Sequence, residues 1–221
     1  MPRKYTRRRR RTTKRTTKRR RRSRGYTRNR AILEGFPAKK LVKLRYVTHI
    51  ILNAPSNAYV VHEFRANSPY HPDTLSLAVN QPMGYDQWAQ LYTRYTVVGS
   101  RITVQFVPTT VSDSTPGYYG VTTEAAPGEL LAAYGTQVVP LLEAKKTGHY
   151  KMCGSFENST KGNSTVIKNF SSKRFFGKSN VIDDPDLGAL ITNNPVNPAY
   201  FAIWQAAVAG TSDPGGMTFK V

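Results

Sequence analysis

The chain has 221 residues, 33 Lys and Arg against 13 Asp and Glu, a formal net charge of +20 and a single cysteine. One cysteine, Cys153, excludes an intrachain disulfide and any cysteine-based zinc site built within one chain. Seventeen of the cations and none of the anions fall within residues 1–30, which leaves 16 cations against 13 anions, a net charge of only +3, for residues 31–221.

Residues 1–30 contain little that a core could use, only Met1, Tyr5 and Tyr26, so burial cannot offset the entropy of ordering and the segment is expected to be disordered by itself. Its cations include Arg7, Arg8, Arg9, Arg10, Arg11, Lys14, Arg15, Lys18, Arg19, Arg20, Arg21, Arg22, Arg24, Arg28 and Arg30. Such clusters gain free energy by neutralising phosphates and releasing condensed counterions, at a log-log salt slope of about −0.7 per phosphate on single strands. Ten engaged cations would give a slope of about −7, a tight grip largely blind to base sequence.

Arg outnumbers Lys in the arm by 14 to 3, which favours forked phosphate contacts over point charge. Thr12, Thr13, Thr16 and Thr17 can hydrogen-bond phosphate oxygens, and Tyr5 and Tyr26 can stack on exposed bases. A nuclear import signal has the same composition, which adds an import receptor as a second partner. A merely solubilising tail would need fewer and mixed charges.

The basic opening is not followed by an apolar segment of secretory-signal length. The longest low-polarity run, "AYFAIWQAAVAG" from Ala199, carries Gln205 and is too short to span a bilayer, so no membrane insertion is expected. These two readings point to an intracellular, soluble protein.

After the arm, "LVKLRYVTHIIL" from Leu41 alternates, with Val42, Leu44, Tyr46, Thr48 and Ile50 forming the more apolar face of a half-buried strand. "AYVVHEF" from Ala58 is a second strand, with Asn53, Pro55 and Asn57 in the turn before it. "GYDQWAQLYTRY" from Gly84 places Trp88, Leu91, Tyr92 and Tyr95 at helical spacing behind Asp86 as N-cap, which predicts one short amphipathic helix. "TVVGSRITVQFVP" returns to alternation, with Ile102, Val104 and Phe106 on one face, and Pro108 ends it.

"GYYGVTTE" from Gly117 predicts a strand, and "GELLAAYG" from Gly128 two helical turns closed by Gly135. Four more strands are predicted in "GHYKMCGSF" from Gly148, "STVIKNFSSKRFFGKS" from Ser164, "AYFAIWQAAVA" from Ala199 and the final "MTFKV". About eight strands separated by Gly, Pro, Asn and Ser turns, with helices confined to connections, indicate an all-β, antiparallel sandwich or barrel. The long crossing between residues 66 and 83 favours a single jelly roll over a string of tight hairpins. The expected organisation is a basic arm, residues 1–30, and one jelly-roll domain, residues 31–221.

The arginine-rich arm, a domain opening with "KLRYV", the helix "GYDQWAQLYTRY" and the following "SRITVQF" together resemble the capsid proteins of small circular single-stranded DNA viruses, the circovirus-like group, and related satellite-virus capsids. The segment from Tyr85 to Phe106 carries most of the resemblance, and "KNFSSKRFFG" from Lys168 is similar to the family's late basic and aromatic segment. The resemblance implies a shell of about sixty copies, an arm on a packaged single-stranded DNA genome, and direction to the host nucleus. It also implies a last strand continuing beyond "MTFKV", hence an incomplete final strand and an exposed edge at that point.

Within the domain, Lys161, Lys168, Lys173, Arg174 and Lys178 interleave with Phe170, Phe175 and Phe176 without an anion. This combination suits single-stranded nucleic acid on an inner surface, a sulphated glycan receptor on an outer one, or a solvated strand face. His149 and Cys153 stand four apart, about 13 Å along a strand, too far for a nucleophile and its base. His71 lies between prolines in "SPYHPD" and is placed either to sense acidification or simply in a loop.

Asp183, Asp184 and Asp186 form an acidic turn that either binds calcium or is simply solvated. Asn158, Asn163 and Asn169 begin glycosylation sequons that suit a chance occurrence in a Ser/Thr/Asn-rich stretch. No cofactor-binding, metal-ligand or nucleophile-base pattern is found, so the chain reads as a non-enzyme. The rival reading is a cellular nucleic-acid-binding β-barrel of ribosomal or chromatin type.

Overall fold

The computed structural model describes residues 36–76, 80–107, 117–144, 149–153, 165–208 and 216–221. The chain divides into Met1–Val42 and Lys43–Val221, and every element below belongs to the second unit. Its first part runs β1 (His49–Asn53), β2 (Tyr59–Arg65), α1 (Tyr85–Ala89), β3 (Arg94–Thr96), β4 (Gly99–Val107) and β5 (Gly117–Glu124). It continues with α2 (Glu129–Tyr134), α3 (Val138–Glu143), β6 (Tyr150–Cys153), β7 (Thr165–Ser171) and α4 (Ser172–Phe176). It closes with β8 (Gly188–Leu190), β9 (Tyr200–Ala207) and β10 (Gly216–Lys220).

Two four-stranded antiparallel sheets form, with orders β1-β10-β4-β7 and β2-β9-β5-β6, and β3 pairs with β8 in a small ribbon. The chain changes sheet between β1 and β2, β4 and β5, β6 and β7, and β9 and β10. That interleaved order is a jelly roll, and its eight strands are the eight read from the sequence. Because strand direction reverses at each step, β2, β5 and β7 all end at the same end of the sandwich, where the connections after them begin.

Alternation explains the interior. Ile50 and Leu52, Ile102 and Val104, Val166 and Phe170, and Met217 and Phe219 face inward from the first sheet and meet Phe64, Tyr119, Val121, Phe201 and Ile203 of the second. Phe106, Tyr119 and Phe219 interlock at the centre, their ring centroids 5.1 to 6.4 Å apart. The second sheet is also buried outside, where α2 and α3 lay Leu130, Val138 and Leu141 over Tyr59, Ala202, Trp204 and Ala206. All eight residues of β9 are therefore buried.

Gly120 stands opposite Trp204, and a Cβ there would come within 2.5 Å of the indole, so only glycine lets the ring lie flat across β5. The long connections at one end are ordered by side chains from distant segments. Tyr85 donates to the carbonyl of Ile191 at 2.7 Å, Tyr95 to that of Asn193 at 2.8 Å, and buried Asn67 donates to the carbonyl of Asn197 and accepts from the amide of Ala199.

Four sequence expectations change. The strand read from Leu41 is laddered only from β1 onward, with Thr48 and Val221 exchanging backbone bonds of 3.0 and 2.9 Å beyond it. Residues 43–47 have no partner strand, yet Leu44 and Tyr46 remain half-buried between exposed Lys43, Arg45 and Val47. The helix at Gly84 is a single turn whose buried residue is Tyr85, while Leu91 is exposed and Tyr95 belongs to β3. Gly84, at φ 86°, takes the N-cap, and Asp86 lies in the first turn.

The strand read across residues 164–179 stops at Ser171, because the Ser172 amide and hydroxyl bond the carbonyls of Val98 and Val97 and turn the chain into α4. Gly177, in the left-handed region, ends that helix. The final strand lies between β1 and β4 rather than at an edge.

Candidate nucleic-acid interface

The arm cations Arg7 to Arg30, Lys161, and the sequons at Asn158 and Asn163 lie outside the described residues. The other members of the later basic segment are dispersed by the break between β7 and α4. Lys168 shares the inward face of β7 with Val166 and Phe170, opposite Ile102, and desolvation holds its amine below the usual lysine range. Lys173 and Arg174 are exposed on α4.

Lys178 donates to Asp184, a bond that raises the ammonium and lowers the carboxyl. Phe170, Phe175 and Phe176 stack on one another at 5.0 to 6.3 Å, and Phe170 also meets Phe201 edge-on, so these rings serve the core.

A broader basic surface arises where the sequence showed none. On the outer face of the first sheet, exposed His49 of β1 pairs with exposed Lys220 of β10, which pairs in turn with Gln105 of β4. Arg101 lies four residues before Gln105 on the same strand, and Lys43 and Arg45 alternate outward on the segment leading into β1. Ile51, Thr103, Ile167 and Asn169 are exposed on the same face.

No Asp or Glu occurs in β1, β4, β7 or β10, nor in residues 43–48. The His62–Asp73 contact and the Lys178–Asp184 ion pair lie elsewhere. The second sheet, by contrast, carries Glu63 and the fully buried Glu124.

The remaining candidates are held in local structure. His62 Nε2 and Asp73 Oδ1 are 3.0 Å apart, and Arg65 donates to the Nδ1 and the carbonyl of His71. Asp183 accepts from Asn180, so the acidic turn is tied up by its own neighbours. Among the described residues no group of three His, Cys, Asp or Glu side chains is placed to hold a metal ion, and no helix is long and apolar enough to cross a membrane.

The molecule is thus a jelly roll with one covered and one open sheet, preceded in sequence by a polycationic segment. No protein-family model matches the chain, and no curated protein matches it. Among solved structures, a chain of Desmodium yellow mottle tymovirus is similar at 11% identity and TM-score 0.31, over 84% of this chain and 89% of that one. The empty head of Turnip yellow mosaic virus is similar at 11% identity and TM-score 0.31, over 84% and 82%. Mud crab tombus-like virus is similar at 14% identity and TM-score 0.30, over 86% and 92%. Likeness of that degree carries neither family nor function.

Proposed function

We propose that the protein is a viral capsid subunit whose jelly roll associates with copies of itself into a closed shell and whose arm holds the packaged genome. The observation that carries this reading is the junction, in one chain, of the β1-β10-β4-β7 and β2-β9-β5-β6 sandwich with 17 arm cations unopposed by any anion. Jelly rolls are a recurrent shell-building fold, but fold alone does not decide function. The arm adds the second requirement, affinity for a polyanion too long to neutralise except in bulk.

Exposed apolar side chains gather on the connections at one end of the sandwich, among them Met83 at 93% and Val196 at 74% exposure, with Leu91, Ile182 and Leu190. Apolar area left in water on that scale suits contacts between subunits. About sixty copies would bring on the order of a thousand arm charges to the interior, enough for a genome of one to a few thousand nucleotides. The resemblance to circovirus-like capsids makes that genome single-stranded DNA, and the arm its nuclear import signal as well.

Negative-stain microscopy of the full chain, with and without single-stranded DNA, tests the proposal. Uniform closed particles that retain nuclease-resistant DNA are expected. Dispersed monomers at every salt and protein concentration would overturn it.

A further inference from the structure

The overall charge of residues 31–221, only +3, conceals a segregation that the fold makes visible. Of the broad sandwich surfaces, the two inner faces are consumed by the core and the outer face of the second sheet is largely covered by α2 and α3, with Tyr150 and Met152 of β6 left exposed. The outer face of the first sheet is exposed, and among the described residues every charge on it is positive. We propose that this face is a second nucleic-acid site, on which a single strand lays its phosphates against Lys43, Arg45, Arg101 and Lys220. The identity of the cargo rests on the capsid reading, whereas the site rests on the sheet.

The spacing fits a polymer better than a single small anion. Lys220 lies on the row of Gln105, and Arg101 four residues along β4, so the two cations stand about 13 Å apart in the strand direction. Neighbouring strands are about 4.8 Å apart, which puts His49, Lys220 and Gln105 across about 10 Å of one row. Cations so dispersed cannot converge on one phosphate. They can each meet a different phosphate along a flexible strand.

The apolar residues decide between polyanions. Val47, Ile51 and Ile167 are exposed among the cations, and a single strand has base faces to cover them, whereas a sulphated glycan offers no comparable apolar plane. Thr103, Thr218 and Asn169 supply neutral hydrogen-bonding groups on the same face. The ladder holds Arg101 and Lys220 at a fixed separation before the strand arrives.

Lysine acetylation followed by peptide mass spectrometry tests the site in the full chain, with and without a single-stranded oligodeoxynucleotide, in samples of matched assembly state. Lys43 and Lys220 should be protected about fivefold or more, while Lys173 on α4 keeps its reactivity. Protection of arm lysines Lys4, Lys14 and Lys18 without Lys43 and Lys220 would overturn the sheet site and leave the arm reading standing. Protection of Lys43 and Lys220 without the arm would support the site and remove the arm reading instead.

Protection by a heparin oligosaccharide but not by DNA would overturn the occupant. A second measurement uses the triple variant Arg45→Gln, Arg101→Gln, Lys220→Gln. Its log-log salt slope for DNA should be shallower than the parent's by about 2, at about 0.7 per phosphate lost, with an unchanged circular dichroism spectrum. An unchanged slope would overturn the proposal.

Discussion

The two sheets of the sandwich share size, strand number and antiparallel pairing, yet their outer faces have opposite fates. Outside the second sheet, Tyr59, Ala202, Trp204 and Ala206 lie beneath Leu130 and Leu141, and Glu63 accepts the amide of Gly128 at the start of α2. Outside the first, Ile51 and its charged neighbours meet solvent. Sheet pairing therefore does not settle what a face is for. The connection that returns over it does, and α2 and α3 lie over the second sheet.

Placing the same carboxylate on each face separates them most sharply. Ala206→Glu forces a charge into a site with 0% exposure beneath the helices, which costs about 3–5 kcal/mol, a large part of a typical domain's stability. Loss of the cooperative thermal transition is expected. Ile51→Glu, at a position 72% exposed, should stay within about 0.5 kcal/mol of the parent while weakening DNA binding, because it sets an anion diagonally beside Lys220 on the cationic face. Equal destabilisation by the two would show that the first face is covered in solution.

A smaller effect probes the seal over the second sheet. Tyr59 donates its hydroxyl to the carbonyl of Leu130 at 2.9 Å, and its pKa is pushed up to about 12 by burial, with Glu124 and Tyr134 adding to the rise. Tyr59→Phe keeps the ring and leaves that carbonyl without its partner, at a cost of about 1–2 kcal/mol. Hydrogen exchange should quicken in residues 129–134 more than in β9. Uniform quickening would mean that the bond supports the whole sandwich rather than the seal.

Much of this contrast was legible before folding was considered, and the reason is local. Ile102, Val104 and Phe106 alternate cleanly because β4 has one dry face, and "AYFAIWQAAVA" reads as apolar sequence broken only by Gln205 because β9 has two. Gly128 and Gly135 bracketed α2 through glycine's freedom to take positive φ. What escaped was non-local. The exposed cations at 43, 45, 101 and 220 become neighbours only once β10 is inserted between β1 and β4, a pairing that no spacing within any one strand encodes.

Three-residue β3 and β8 are too short for periodicity to register. The turn at Ser172 depends on carbonyls of Val97 and Val98, more than seventy residues upstream. The arm showed the opposite balance, since its charge is read directly from composition.

Lys168 supplies the finest test of the comparison, as the cation of the first sheet that points inward. It lies on edge strand β7 between Val166 and Phe170, and burial lowers its pKa below 10.5 because the charged amine is poorly solvated there. The unfolded chain therefore binds more protons than the folded one between the lowered value and 10.5, and stability rises with pH across that window. Below the window both states are protonated and the full desolvation cost remains. Lys168→Met should equal or slightly exceed the parent in stability at neutral pH and lose that advantage as pH rises through the window.

The same change removes an inward charge that guards an edge strand against pairing with another chain, so heated samples of the variant should become turbid sooner than the parent. A difference in Tm between variant and parent that stays constant across the window would show that Lys168 does not titrate there. Unchanged turbidity would show that the edge is protected by something other than this lysine, and the inward cation would then be a cost that the outward ones do not share.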